Sequence, residues 1–262
     1  MQERHTDIQA YFKEQEYTTK KYVIPYVAGR MKVSKNISVL EIGCGEAGNL
    51  KPFVDLGCKC VGVDLNEEKI NFGKELYAKH PNGDNLELIV DDIYNREGEY
   101  FEHFDLIILR DVIEHIHNQE KFLHGLKKFI KPGGQVFFGF PPWQNPFGGH
   151  QQICNSKILS VLPYFHLLPK PLYIGVLKMF GESKKTIADL VEIKDTGISI
   201  ERFERILRVE KWKINKKTSF FINPNYEIKF KLTPRESWSW VASFPFVRNF
   251  LVTACYYLVS KE

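Results

Sequence analysis

At 262 residues, 44% hydrophobic and 26% charged, the chain has the makeup of an ordinary soluble globular protein, long enough to bury a substantial core. Its net charge of +4 and pI near 8.6 are a mild basic excess, interleaved with acids as in EEKINFGKELYAKH, which argues against nucleic acid as a partner. Cys44, Cys58, Cys60, Cys154 and Cys255 form no CxxC pair and no zinc spacing with the eight histidines; with an N-terminus too polar for a signal peptide, free thiols in a reducing, cytoplasmic setting are expected.

Along residues 1–36, Tyr11, Phe12, Tyr17, Tyr22, Val23 and Tyr26 stand among charges and predict one or two amphipathic helices. From Ile37 the pattern changes. SVLEI, CKCVGVD, LELIVDD, FDLIILR and GQVFFGF read as buried strands, separated by helices predicted at Ala47–Leu56, Glu67–His80, the segment after Asp111, and Lys121–Ile130. Such alternation predicts an α/β fold with parallel crossovers. The chain turns irregular at PPWQNPFGGHQQ and then carries a segment rich in aromatics, leucines and prolines. SIERFERILR predicts a helix burying Ile200, Phe203, Ile206 and Leu207, and KWKINKKTSFFI and LVTACYYLVSK predict strands. The apolar stretch Phe250–Val259 is too short to span a bilayer as a helix. The expected architecture is therefore a doubly wound, mostly parallel, seven-stranded Rossmann-like sheet with a helical insertion between strands 5 and 6. It forms one domain: an N-terminal helical cap (1–36), a cofactor-binding core (37–141), the insertion (142–198) and a C-terminal completion of the sheet (199–262).

EIGCGEAGN takes a strand into a glycine turn and a helix. Gly43 and Gly45 permit backbone shapes and close approaches that a Cβ would block, and the helix start offers N–H groups to a ligand. Asp64 ends the next strand, 21 residues after Gly43, where a ribose diol could donate to it. Gly43, Gly45 and Gly48 also satisfy G-x-G-x-x-G, so the turn alone would equally serve a nicotinamide-dependent oxidoreductase. Glu41 separates the two. An acid inside an apolar strand is costly without partners, and a dinucleotide fingerprint places an apolar residue there.

With Glu41, the stretch VLEIGCGEAGN resembles the first motif of class I S-adenosylmethionine-dependent methyltransferases. VGVDL, VDDI, FDLIILRDVIEHI and LKKFIKPGGQVFFGF follow in that family's order over residues 37–141, and the VIEHI and KPGG phrasing is similar to the ubiquinone-biosynthesis-like O-methyltransferases of the small-molecule branch. The resemblance implies S-adenosyl-L-methionine as cofactor. Glu41 and the backbone of Gly43, Cys44 and Gly45 would hold its amino-acid end, and Asp64 the ribose, with Leu65 against the adenine. Asp92, chosen over Asp91 because the family's acid directly precedes its apolar partner, would accept from the adenine amino group. Ile93 would pack on the ring and donate its backbone N–H, and Arg110 would contribute backbone contacts near the methionine moiety.

Methyl transfer to a hydroxyl additionally needs a general base. His115, just after the fourth strand, is the first candidate and His150, in the loop after the fifth, is the second; the competing readings are a packing residue and a solvent-exposed loop residue. His117 reads as surface. Asp111, Glu114 and His115 fall at i, i+3 and i+4, one face of a helix, and some ubiquinone-type relatives have a similar arrangement. A hydrogen-bond cluster is preferred there to a cation site, so no metal is assigned. Trp143, Phe147, Tyr164, Phe165, Leu167, Leu168, Leu172 and Tyr173 suggest a pocket for an apolar or aromatic small-molecule acceptor, against the alternative that they are the core of a helical cap. PLYIGVLKMFGESKK carries a further reading, weak contact with a membrane surface. A non-catalytic cofactor-binding module is the remaining class.

Overall fold

The structure, a computed structural model, describes residues 8–262. Runs of β-branched and aromatic residues form β1 (Ser38–Ile42), β2 (Lys59–Asp64), β3 (Leu86–Val90), β4 (Phe104–Arg110) and β5 (Ile130–Phe140), all parallel. They are covered on both faces, which is why they read as near-continuous apolar runs. Alternation along β1 sends Leu40 and Ile42 into one core and Val39 into the other, so Glu41 shares the Val39 face.

The sheet has eight strands in the order β3-β2-β1-β4-β5-β8-β6-β7, one more than the seven expected. β6 (Trp212–Ile222) and β8 (Ala254–Lys261) match their predicted segments, and β8 runs antiparallel between β5 and β6. The addition is β7 (Arg235–Glu236), a two-residue edge strand too short to carry a periodic signal. Chain order reverses between β1 and β4, so the crevice beyond their carboxyl ends is where ligands of such sheets bind.

Helix α1 (Ile8–Thr18) runs through a π-helical turn (Thr19–Val23) into α2 (Ile24–Ala28). The expected helix Ala47–Leu56 is shorter: α3 spans only Lys51–Asp55, because Ala47 takes a left-handed φ of 63° and residues 46–50 stay in turns. α4 (Glu67–Tyr77) begins at an Asn66 cap that accepts from the Lys69 N–H. After Asp111 there is no α-helix. Asp111 has φ 56°, and only a 3-10 turn, Ile113–His115, precedes α5 (Gln119–Leu126). The expected helical face of Asp111, Glu114 and His115 therefore does not form. The insertion folds as 3-10 turns followed by α6 (Lys170–Met179) and α7 (Lys184–Thr196), around a small core that includes Phe165, Tyr173 and Leu190. α8 (Ile200–Val209) buries the four predicted residues, with Phe203 edge-on to Phe138, Phe140 and Tyr257. Three short helices complete the chain: α9 (Asn225–Phe230), α10 (Ser239–Ser243) and α11 (Arg248–Leu251).

α1 crosses directly over the glycine turn. A Cβ on Gly48 would lie 2.7 Å from the Phe12 carbonyl oxygen and 2.6 Å from Gln15 Oε1. Gly48 is thus required by helix packing, which accounts for the third glycine of G-x-G-x-x-G without a dinucleotide. Gly48→Ala is expected to destabilise the fold by about 1–3 kcal/mol, as overpacking does, measurable as a lower urea midpoint at unchanged slope.

Candidate active site

Glu41 is 1% exposed, and burial pushes its carboxyl up to about 8, opposed by the Asn49 amide and the Arg110 guanidinium. Asn49 Nδ2 donates to Glu41 Oε1 at 2.6 Å; Asn49 Oδ1 in turn accepts from Arg110 Nη1 at 2.5 Å and from Thr19 Oγ1 at 2.9 Å. Arg110 Nη2 also donates to Asn225 Oδ1. One buried relay so joins β1, the glycine turn, β4, the π-helical turn and α9. Arg110 enters this relay through its side chain, a contact the sequence did not announce, while its backbone pairs with Gly139 at the end of β4. Thr19 gave no signal in the sequence. Asn49 gave a faint one, as a polar residue directly after Gly48 and close to a buried acid.

The turn's own N–H groups face inward. The Val63 carbonyl accepts from Gly43 and Cys44 at 2.8 and 3.2 Å, and Asp64 Oδ2 accepts from the Gly45 N–H at 2.8 Å. A pyrophosphate cradle needs such groups free and a helix N-terminus behind them; here they are spent on β2 and α3 starts only at Lys51. The Cys44 side chain is buried against Gly62, and burial holds its thiol well above the usual range, so it serves packing. Beside the turn, Glu41 Oε2 and Glu46 Oε2 are buried with no hydrogen-bond partner among the described residues.

Asp64 Oδ1 accepts from the Asn66 N–H, which leaves acceptor capacity on both carboxylate oxygens. Leu65 beside it is 74% exposed, an open apolar surface at the crevice. A cleft of about 260 Å³ continues past Tyr11, Glu46, Asn66 and Lys69. The Asp91 carboxylate accepts from Arg96 and Asn95, whereas among the described residues the Asp92 carboxylate accepts from the Tyr94 N–H. Ile93 is buried in the main core, which leaves its expected share in an adenine contact to its backbone.

The other half of the site lies across Val112. A Cβ on Gly43 would stand 2.7 Å from Val112 Cγ2, so the glycine turn is pressed against the loop after β4. Asp111 is held there in a left-handed conformation, its N–H donating to the Gly139 carbonyl. Burial raises its pKa, opposed by the charges of Arg110, His115 and Lys229. Glu114 is 4% exposed, and neither carboxyl oxygen has a hydrogen-bond partner among the described residues. Burial, reinforced by Asp111, pushes its pKa well above the usual range. His115 reaches the surface, yet the surrounding protein lowers its pKa, opposed by Asp111.

The structure brings the two predicted histidines together. The rings of His115 and His150 meet edge to face, centroids 5.1 Å apart, and ligand atoms of Glu114, His115 and His150 all lie within 4.8 Å of one another, close enough to hold a divalent cation. Gly148 and Gly149 make this possible, because side chains there would collide with the Trp143 carbonyl at 2.1 Å and with His166 at 2.3 Å. Three tyrosines not nominated for the site lie within electrostatic reach of Asp111, and one of them, Tyr11, lines the cleft beside Glu46. The pKa values of Tyr11, Tyr226 and Tyr256 are raised by burial and respond to the charge of Asp111. His117 is exposed and pairs with Glu192, as expected of a surface residue.

The eight residues expected to line an acceptor pocket do not act as one set. Phe165 and Tyr173 belong to the insertion's own core, Tyr164 and Leu172 are exposed, and Trp143, Phe147, Leu167 and Leu168 are half-buried.

Residues 15–148, just over half of the chain, match the family model described as a methyltransferase domain. The chain belongs to that family. With it, the class I S-adenosylmethionine-dependent methyltransferase resemblance holds, and the nicotinamide reading of the turn falls away. Over 137 residues the chain is 30% identical to the mitochondrial ubiquinone biosynthesis O-methyltransferase of Dictyostelium discoideum, covering 44% of this chain and 42% of that protein. Over 110 residues it is 26% identical to a sterol 4-C-methyltransferase of Caenorhabditis elegans, covering 42% and 33%. The chain thus spans less than half the length of these curated relatives. Among solved structures it is similar to geranyl diphosphate C-methyltransferase from Streptomyces coelicolor, crystallised with Mg2+, geranyl diphosphate and S-adenosyl-L-homocysteine. The TM-score is 0.58 at 10% identity, over 93% of this chain and 79% of that one, a likeness of fold.

His166 yields a test of the insertion's anchoring. It is fully buried, its Nε2 donates to the Trp143 carbonyl at 2.9 Å, and burial lowers its pKa to about 4 from 6.5. Between pH 6.5 and 4 the unfolded chain takes up a proton that the folded ring resists, so stability present above pH 6.5 is lost as pH falls, by up to about 3 kcal/mol. Thermal melts across that window should show a shallower pH slope for His166→Gln than for the unsubstituted protein.

Proposed function

We propose that this chain transfers the methyl group of S-adenosylmethionine to a hydroxyl oxygen of a small, largely apolar acceptor, with His115 and His150 taking the hydroxyl proton. The convergence of these histidines on the crevice, directly across Val112 from the glycine turn, carries the reading.

The residues around the turn fit the cofactor. Two buried glutamate oxygens without partners, on Glu41 and Glu46, suit the ammonium of its amino-acid end, beside a turn that positive φ angles at Gly43 and Gly45 keep clear of side chains. Asp64 has acceptor capacity for the ribose hydroxyls, Leu65 offers an apolar surface to the adenine, and Asp92 and the Ile93 backbone suit its polar edge. When bound, the cofactor supplies a sulfonium methyl that is already electrophilic.

What remains for the chain's own residues is to orient the acceptor and manage one proton. The acceptor oxygen bonds to the methyl carbon, the carbon–sulfur bond breaks, and the hydroxyl proton passes to a histidine. The surrounding protein lowers the pKa of His115, which favours the neutral ring able to accept that proton, while Asp111 favours the cation that results. The half-buried Trp143 and Phe147 lie in the loop that delivers His150 and would contact the acceptor. Five buried free cysteines support a reducing, cytoplasmic setting.

Two measurements test this. Calorimetry at pH 7 should show S-adenosylmethionine binding with proton release, since a cation beside Glu41 favours its ionised form. Glu41→Gln should remove the release, and Asp64→Asn should weaken binding about tenfold. Binding of a nicotinamide cofactor instead would overturn the reading. With radiolabelled cofactor and a panel of hydroxylated aromatic acceptors, His115→Gln and His150→Gln should each lower kcat about 100-fold with cofactor affinity intact. Dialysis against a chelator should leave the rate unchanged; loss of activity restored by Mg2+ would make Glu114, His115 and His150 a cation site instead.

A further inference from the structure

The segment joining β6 to β8 carries an unusual load of exposed aromatic side chains. Phe221, Trp238, Trp240 and Phe244 form a continuous ladder, with Trp238 stacked on Trp240 at 6.0 Å and 8°, and Trp240 is 60% exposed. Further along the same segment, Phe246 is 70% exposed. Phe250 touches Tyr164, whose hydroxyl donates to the Phe250 carbonyl, so the ladder's segment meets the insertion beside the exposed Val161 and Leu162. Monomeric proteins rarely leave apolar surface of this extent uncovered without a use for it.

The end of this segment is anchored to α8. Phe246 has a left-handed φ of 65°, and its N–H donates to Glu201 Oε1. Arg248 bridges Glu201 and Glu204, and Asn249 Nδ2 donates to Glu201 Oε2 at 2.5 Å. The loop is therefore fastened to α8 from beneath while its rings face outward.

Its position and charge select the occupant. β6 runs parallel to β5, both antiparallel to β8, so residues 223–253 lie beyond the same sheet edge as the crevice, and Asn225 of this segment contacts Arg110. Residues 141–185 contain five lysines, of which Lys170 pairs with Asp195, and one acid, Glu182, which is buried and accepts from the N–H groups of Asn155 and Ser156. Residues 228–251 contain Lys229, Lys231 and Arg235 against one acid, Glu236, beside Arg248, whose charge Glu201 and Glu204 already meet. Exposed tryptophans with their polar N–H groups, phenylalanines and a cationic surround match the boundary of an anionic lipid layer.

We infer that this face docks on an anionic lipid bilayer through Trp238, Trp240, Phe244 and Phe246, turning the catalytic edge of the sheet toward the membrane. The expected contact through PLYIGVLKMFGESKK becomes secondary: α6 buries Tyr173 and Leu177 in the insertion's core and exposes Leu172 and Met179. The docking itself rests on the surface and its charge; only the description of the facing edge as catalytic rests on the methyl-transfer reading.

Flotation of the full chain with phosphatidylcholine vesicles, with and without phosphatidylglycerol, tests it. Binding should require the anionic lipid, weaken at high salt, and shift tryptophan emission to the blue. Trp238→Ser combined with Trp240→Ser should weaken binding about tenfold while S-adenosylmethionine affinity and melting temperature hold. The single variant Phe246→Ser should weaken binding too, should the double variant fail to fold. Absence of binding to anionic vesicles would overturn the inference, as would a concentration-dependent dimer, seen by light scattering, that the same substitutions abolish.

Discussion

A carboxylate buried inside a parallel strand must be satisfied, and much of this site follows from how Glu41 is. Burial alone would keep it protonated. Asn49 meets one oxygen, Arg110 lends charge through Asn49, and Thr19 and Asn225 complete the relay. Because a half-satisfied buried network costs more than an apolar core, each member constrains the others. Asn49 needs the turn at residues 46–50 in place of a longer helix, and Thr19 needs α1 and the π-helical turn laid across the sheet edge. α1 in turn tolerates nothing larger than glycine at 48. The second oxygen of Glu41 is left over, pointing this network toward a ligand rather than toward stability.

The strands and α8 were legible because their signals are local and redundant: buried parallel strands read as apolar runs, and Ile200, Phe203, Ile206 and Leu207 share one helical face. The helix expected after Gly45 and the one expected after Asp111 were not, because left-handed residues interrupt both. Ala47 and Asp111 adopt φ angles that non-glycine residues seldom take, and only tertiary contacts hold them there. β7 is two residues long and has no periodicity to detect.

The site was legible to the extent that a single residue type in a single motif carried it. Asp64 ends β2 and Asp92 follows β3, while Glu41 lies one residue inside β1, all at the carboxyl end of the sheet. His115 and His150 could be nominated separately from sequence, but their meeting depends on the fold of 141–150 around two glycines. Thr19 joins the relay and Tyr11 lines the cleft beside Glu46 from elements far away in sequence, so no spacing could have found them. The aromatic and leucine-rich insertion shows the reverse: its composition suggested a pocket, and part of it is the insertion's own core.

The placement of β8 also bears on the order in which the molecule can be made. Residues 254–261 pair with β5 on one side and β6 on the other, so β5 presents an unpaired, strongly apolar edge to solvent until the chain has been synthesised past residue 254. At that stage residues 38–140 can already form a parallel half-sheet while β6 has no neighbour to join. Closing the gap between β5 and β8 spans more than a hundred residues, a slow kind of contact. The nascent chain is therefore most open to aggregation through β5 in the interval before its last strand arrives.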